Sequence, residues 1–202
     1  LLQMTDVSTE PWKRTRMNGC PSLFLQNIWG WKKQWQADMT NYLEYRLCHS
    51  MSNGTMKVQS VYLQGIKDIN EDELLLDKTI FGVFDGATGL VPYKNQNGDT
   101  GGKIAARIAK NLFGSSTEPL ETVAMQINAE ITKAMKKQGI DISHPEYRWS
   151  TTAAVVRINN GRLEFAAIGD SCILGILPGG GYQLLVPYHN HDARLLQMWK
   201  SL

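Results

Sequence analysis

Hydrophobic and polar positions follow no regular order over residues 1–50 and become ordered after residue 56. MKVQSVYLQ (56–64) sets Val58, Ser60 and Tyr62 against Lys57, Gln59 and Val61, which predicts a strand, and the short apolar run TIFGVF (79–84) predicts a buried one. In GGKIAARIAKNLF (101–113), Ile104, Ile108 and Leu112 recur every four residues with Ala105 and Ala109 beside them, one apolar face of a helix. EPLETVAMQINAEITKAMKKQ predicts a second helix with Pro119 and acidic residues in its first turn, Lys in its last and Gly139 as a stop. Its buried stripe reads Leu120, Val123, Ile127, Ile131 and Ala134 or Met135. Four further strands are predicted at 151–158, 162–169, 171–177 and 182–186, with NNG and PGGG as hairpin punctuation. Strands, a helix pair and then a strand meander argue an α+β class with an antiparallel sheet.

The N-terminal segment is harder to read. It holds four of the six tryptophans, and WKKQWQADMTNYLEYRL (31–47) spaces Trp31, Trp35, Met39 and Leu43 as a short amphipathic helix would. A docking helix is one reading. The other is an extension, or translated sequence ahead of a start at Met51 or Met56, because SMSNGT forms a polar break. The chain therefore divides into an extension at 1–50 and a domain at 51–202.

Composition narrows the function classes. With 43% apolar and 20% charged residues, the 202-residue chain is a globular mixture that buries a core. A net charge of +2, with fifteen Lys/Arg and fifteen Asp/Glu from residue 56 onward, offers no basic stripe for nucleic acid. No apolar run reaches the roughly 20 residues of a membrane helix, and no export signal opens the chain. Cys20, Cys48 and Cys172 have neither metal-type spacing nor an even disulfide framework. Neither nucleic acid nor membrane is expected as a partner, and a reducing, cytoplasmic setting is.

The chemistry gathers around FGVFDGATG (81–89). Asp85 ends a strand-like run, and Gly86 and Gly89 let the following loop turn sharply and bring backbone carbonyls near whatever Asp85 binds. A hard cation such as Mg²⁺ or Mn²⁺, which prefers oxygen ligands, is the natural occupant. INEDE (69–73) supplies Glu71 and Asp72, which hairpin pairing would bring beside Asp85. Clustered carboxylates repel unless a cation neutralises them. Taken singly, an ordinary Asp-Gly turn and a solvated acidic loop account for either segment equally well.

KDINED, FGVFDG, GGKIAA, STTAAVV and AIGDS together, in this order, resemble the metal-dependent protein serine/threonine phosphatases of the PPM or type-2C family. The resemblance spans about residues 56–192, and the ordered set is far more specific than any one member. It implies an αββα sandwich of two antiparallel sheets flanked by helix pairs, with a two-metal centre at one end. It further implies that Asp85 bridges two Mg²⁺ or Mn²⁺ ions, that Gly86 lends its carbonyl, and that Glu71 and Asp72 hold the second ion directly or through water. Lys67 stands where the family usually places the arginine that grips the substrate phosphate; lysine offers a point charge without the bidentate fork, so weaker phosphate binding is expected. Asp170, in Gly-Asp-Ser, would support the site, although an aspartate capping a hairpin turn explains it as well. The implied reaction is attack on a phosphoserine or phosphothreonine of a phosphoprotein by a metal-activated water, which needs no nucleophilic side chain.

The sequence also departs from the family pattern. Ala87 occupies the position where many members carry a histidine, a candidate general acid, and Thr88 replaces a glycine. LVPYKNQNGDT (90–100) lengthens the connection to Gly101-Gly102 and suggests a substrate-facing flap. Tyr147 falls where some members bind a third metal, so no third ion is expected there. The family's later Asp-Gly and Asp-Asn motifs, which complete the first metal site, do not occur within the 202 residues. A catalytically weak or inactive binding or regulatory module is the alternative these departures support. HNHD (189–192) is read as a polar loop rather than a metal pair, and GGG (179–181) as a hairpin turn rather than a phosphate loop.

Overall fold

The computed structural model describes residues 22–26, 46–49, 56–64, 68–87, 89–159, 162–177, 181–186 and 197. Nine strands fall in this set: β1 (Ser22–Gln26), β2 (Arg46–His49), β3 (Met56–Gln59), β4 (Glu73–Leu76), β5 (Ile80–Ala87), β6 (Ser150–Asn159), β7 (Arg162–Ile168), β8 (Cys172–Ile176) and β9 (Tyr182–Leu184). Two helices, α1 (Gly101–Ser115) and α2 (Leu120–Lys137), lie between β5 and β6. The strands form two antiparallel sheets, one ordered β4-β5-β6-β7 and the other β3-β2-β1-β8-β9. The class is α+β, a two-sheet sandwich with a helix pair on the outer face of the four-stranded sheet.

Strand alternation divides this sheet between two cores. Ile80 and Phe84 of β5, Ala153 and Val155 of β6, and Ala166 and Ile168 of β7 face the helices, where they meet Ala105, Ala109, Phe113, Leu120, Val123 and Ile127. The intervening residues Phe81, Val83, Ala154, Val156, Phe165 and Ala167 face the other sheet and pack with Ile173 and Val186. Burying each large side chain contributes about 1.5–3 kcal/mol. The alanines of α1 let its axis approach the sheet closely, and Phe84 and Phe113 fill the interval with stacked rings 5.9 Å apart.

Both helices follow their apolar stripes; α1 runs two residues past the predicted end at Phe113, and α2 lies just inside the predicted 118–138. Thr100 caps α1 by accepting the Lys103 N–H. Pro119 occupies the cap position of α2 and has no side-chain oxygen; the Glu164 carboxylate of β7 takes the Leu120 N–H instead, at 2.7 Å. Gly139 stops α2 in a left-handed conformation, φ 72°.

Three expectations change. The strand predicted at 56–64 ends at Gln59. The four late strands are two hairpins in different sheets rather than one meander: β6 pairs with β7, β8 pairs with β9, and the chain crosses between sheets at Gly169-Asp170. β4, ELLL, is a strand that patterning misses, because three consecutive leucines carry no period of two. Within the first fifty residues, β1 and β2 join the five-stranded sheet, β1 against β8 and β2 against β3. Apart from the start of β2, the helix expected over 31–47 lies outside the described residues, as do HNHD and two of the three glycines of GGG. Gly181 closes the β8–β9 hairpin, its carbonyl accepting the Leu177 N–H at 2.6 Å.

Candidate active site

The end of β5 presents different chemistry on its two sides. By strand alternation Asp85 continues the row of Phe81 and Val83 toward the other sheet, and Gly86 continues the row of Phe84 toward α1. Gly86 has no space for a side chain. A Cβ there would lie 2.4 Å from the Gly102 carbonyl oxygen and 2.7 Å from that of Glu71. A Cβ on Gly102 would lie 2.6 Å from the Ala87 carbonyl oxygen, so the two glycines let the strand end and the helix start meet backbone to backbone.

Pairing of β4 with β5 sets Glu73 opposite Phe84, and continuing that register sets Asp72 opposite Asp85 and Glu71 opposite Gly86. The hairpin that gathers these carboxylates is thus formed by β4, since β3 belongs to the other sheet. Glu71 is only 6% exposed, and Thr100 donates its hydroxyl to Glu71 Oε1 at 2.6 Å while capping α1. The Asp72 carbonyl accepts from Lys103 Nζ at 2.7 Å and from the Tyr62 hydroxyl at 2.8 Å, and Asn70 Oδ1 accepts the Asp72 N–H at 2.9 Å. This backbone is held from three directions.

Asp170 approaches from the crossing between the sheets. Gly169 adopts φ 80°, and a Cβ there would lie 2.7 Å from Thr152 Cγ2, so glycine is required both for the turn and for its packing on β6. Thr152 is the register partner of Asp85, and its hydroxyl shares a 2.7 Å hydrogen bond with that of Ser171. Thr151 donates to the Asp85 carbonyl at 2.8 Å. Asp170 Oδ1 is buried in this turn. Burial, and the Asp170 charge beside it, push the Cys172 thiol above its ordinary pKa, so this free cysteine stays protonated.

A charge cluster braces the edge of the site. Glu73 lies 2.9 Å from Lys103 Nζ, 2.8 Å from Lys110 Nζ and 3.6 Å from Arg107 Nε. Burial alone would raise its carboxyl, but the hydrogen bonds and charges of Lys110 and Lys103 outweigh that and hold it below the usual value. A fork from Arg107 likewise keeps Asp99 low, at 3.0 and 3.1 Å.

Glu71, Asp72, Asp85 and Gly86 therefore share the end of one hairpin, with Asp170 reached through Ser171 and Thr152. Lys67 lies outside the described residues. Tyr147, 39% exposed, sits in the 3₁₀ turn Pro145–Tyr147. Among the described residues no three His, Cys, Asp or Glu side chains converge as one metal-sized group. Thr100, Thr152 and Ser171 escape the sequence reading of the site. The only signals they leave are the polar residue directly before Gly101-Gly102 and the hydroxyls at the start of STTAAVV and the end of AIGDS.

Residues 69–194 match the family model for protein phosphatase 2C. The chain belongs to the protein phosphatase 2C family. The match contains Glu71, Asp72, Asp85, Gly86 and Asp170, and begins two residues after Lys67. The crystal structure of the Mycobacterium tuberculosis serine/threonine phosphatase PstP/Ppp is similar at a TM-score of 0.47 and 17% identity, over 67% of this chain. The similarity covers 55% of that phosphatase, so this protein phosphatase 2C chain spans about half its length. Comparison with curated protein sequences gives no match. No helix among the described residues is long and apolar enough to cross a membrane.

Proposed function

We propose that this chain forms part of a Mg²⁺- or Mn²⁺-dependent phosphatase that hydrolyses phosphoserine and phosphothreonine in cytoplasmic phosphoproteins. The observation that carries the reading is the hairpin register, which sets Asp72 opposite Asp85 and Glu71 opposite Gly86 at one strand end, in a member of the protein phosphatase 2C family. The donors are carboxylate and carbonyl oxygens, the set that hard divalent cations select. Bound there, such ions would supply a water acidic enough to attack phosphorus at neutral pH and charge to hold the phosphoryl oxygens.

The remaining work falls to the chain. Asp85 and the Gly86 carbonyl would hold the metal at the strand end. Glu71 enters already oriented by the Thr100 hydroxyl, which lowers the cost of ordering it. Asp72 sits on backbone fixed by Lys103 and Tyr62. Lys67 holds the substrate phosphate as a point charge. Asp170 steadies the Asp85 side of the site through the Ser171–Thr152 hydroxyl pair. No side chain of the chain serves as nucleophile.

The test is hydrolysis of a phosphothreonine peptide by the full-length protein with Mn²⁺. Chelation should abolish turnover, and Asp85→Asn should lower kcat at least about 100-fold with the circular dichroism unchanged. A folded protein that shows no metal-dependent turnover would sink the enzyme reading and leave a binding or regulatory module.

A further inference from the structure

A cavity of about 340 Å³ opens beside the end of β5, between the loop at 89–100 and the first turn of α1. It borders Glu71 and Ala87 of the hairpin end just described and Gly102 of α1, and another wall is formed by Val91, Pro92, Tyr93 and Trp149. That wall is fixed from behind. The Tyr93 ring packs 4.8 Å from Trp149, and its hydroxyl donates to Gln138 Oε1 at the end of α2, at 2.9 Å. Lys94 bridges to Thr100, and Asn95 gathers the N–H groups of Asn97, Gly98 and Asp99. Trp149, 6% exposed, lies so close over Gly101 that a Cβ there would fall 2.2 Å from its Cδ1, and its buried Nε1 has no hydrogen-bond partner among the described residues. The cavity thus has a preformed, mainly apolar wall, the usual form of a ligand site, at the small end of the usual range of about 300–1,000 Å³.

We propose that this cavity is a specificity subsite that takes one large aliphatic or aromatic side chain flanking the phosphorylated residue of a protein substrate. The inference rests on the phosphatase reading above. Position argues for it, because the cavity takes in Glu71 of the candidate site and Ala87, the residue after Gly86, and an extended peptide advances about 3.3 Å per residue, so a neighbour of the phosphoresidue reaches the opening. Chemistry argues for it as well. Val91, Pro92 and the two rings offer carbon surface, with Lys94, Thr100 and Glu71 as the polar part of the lining. Leu90, next to Val91 in the loop, is 86% exposed. Because the wall is already held, a side chain entering it pays little for ordering the loop.

The experiment compares phosphothreonine peptides carrying Leu or Ala immediately before or after the phosphoresidue, using full-length protein with Mn²⁺. At one of the two positions the Leu peptide should have the higher kcat/KM by about tenfold or more. Val91→Asp, which sets a carboxylate in the wall, should bring that ratio to about two or less, as should Leu90→Asp more weakly. A ratio near one at both positions in the unmodified protein, or an unchanged ratio in Val91→Asp, overturns the subsite. Using a ratio within each preparation keeps the result independent of any general loss of activity. If neither peptide is turned over, the phosphatase reading fails. Fluorescence anisotropy of the same peptides then decides the cavity: tighter binding of the Leu peptide, lost in Val91→Asp, upholds it, and equal affinities overturn it.

Discussion

The two faces of the four-stranded sheet share the same strands and end differently. Toward α1 and α2, the row Ile80–Phe84 is sealed by Gly86 pressed on Gly102, and the face closes on backbone. Toward the other sheet, the row Phe81–Val83 ends in Asp85, beside Thr152 and Ser171, and the face closes on polar groups. The contrast teaches that the site is no appendage to the core. In the candidate site Asp85 ends one core face, while Gly86 and Glu71 opposite it end the other, so its placement depends on how tightly the helix face is shut.

That comparison can be broken most forcefully at Phe84. Phe84→Ala empties a fully buried position between β5 and Phe113, so a loss of about 4 kcal/mol in chain stability is expected, read from the urea midpoint. Gly86→Ala tests the seal itself. Its Cβ meets two carbonyl oxygens that cannot yield as a flexible side chain would, and about 3 kcal/mol of stability should be lost. If Gly86→Ala proves neutral, the close approach of β5 and α1 does not hold the site. Glu73→Gln is the mildest, at about 2 kcal/mol, because it leaves Lys103 and Lys110 without their carboxylate. It carries a pH signature too. Glu73 and Asp99 are held below their ordinary values when folded, so their stabilisation is complete above the usual carboxylate range and drains away as the pH falls below about 4. Thermal melts between pH 6 and pH 3 should therefore fall less steeply in Glu73→Gln than in the parent chain.

Much of this arrangement is legible locally, and its limits have a physical cause. α1, α2, β5, β6 and β7 announce themselves because each shows its own period or a bounded apolar run. Which sheet a strand joins is written nowhere in the strand. TTAAVVRI and SCILGIL look alike in sequence and lie in different layers, because the choice is made by packing across the sandwich. β4 escapes because it is four residues long at a sheet edge, and β1 and β2 because their surroundings carry no alternation. The candidate carboxylates are found through the order of short motifs. Their supports are not, since a threonine that caps a helix and steadies Glu71 looks like any other helix cap until the chain is folded.

Asp85 lies at the end of one sheet, and Asp170 sits where the chain steps across to the other; a hydroxyl pair, Thr152 with Ser171 at 2.7 Å, lies between them. The spacing of these carboxylates is then governed by how far one layer slides over its neighbour, a shear that loop motions do not reproduce. A ligand seated between them would act as a pin through two plates, registering the sheets against each other and felt along the whole length of the sandwich.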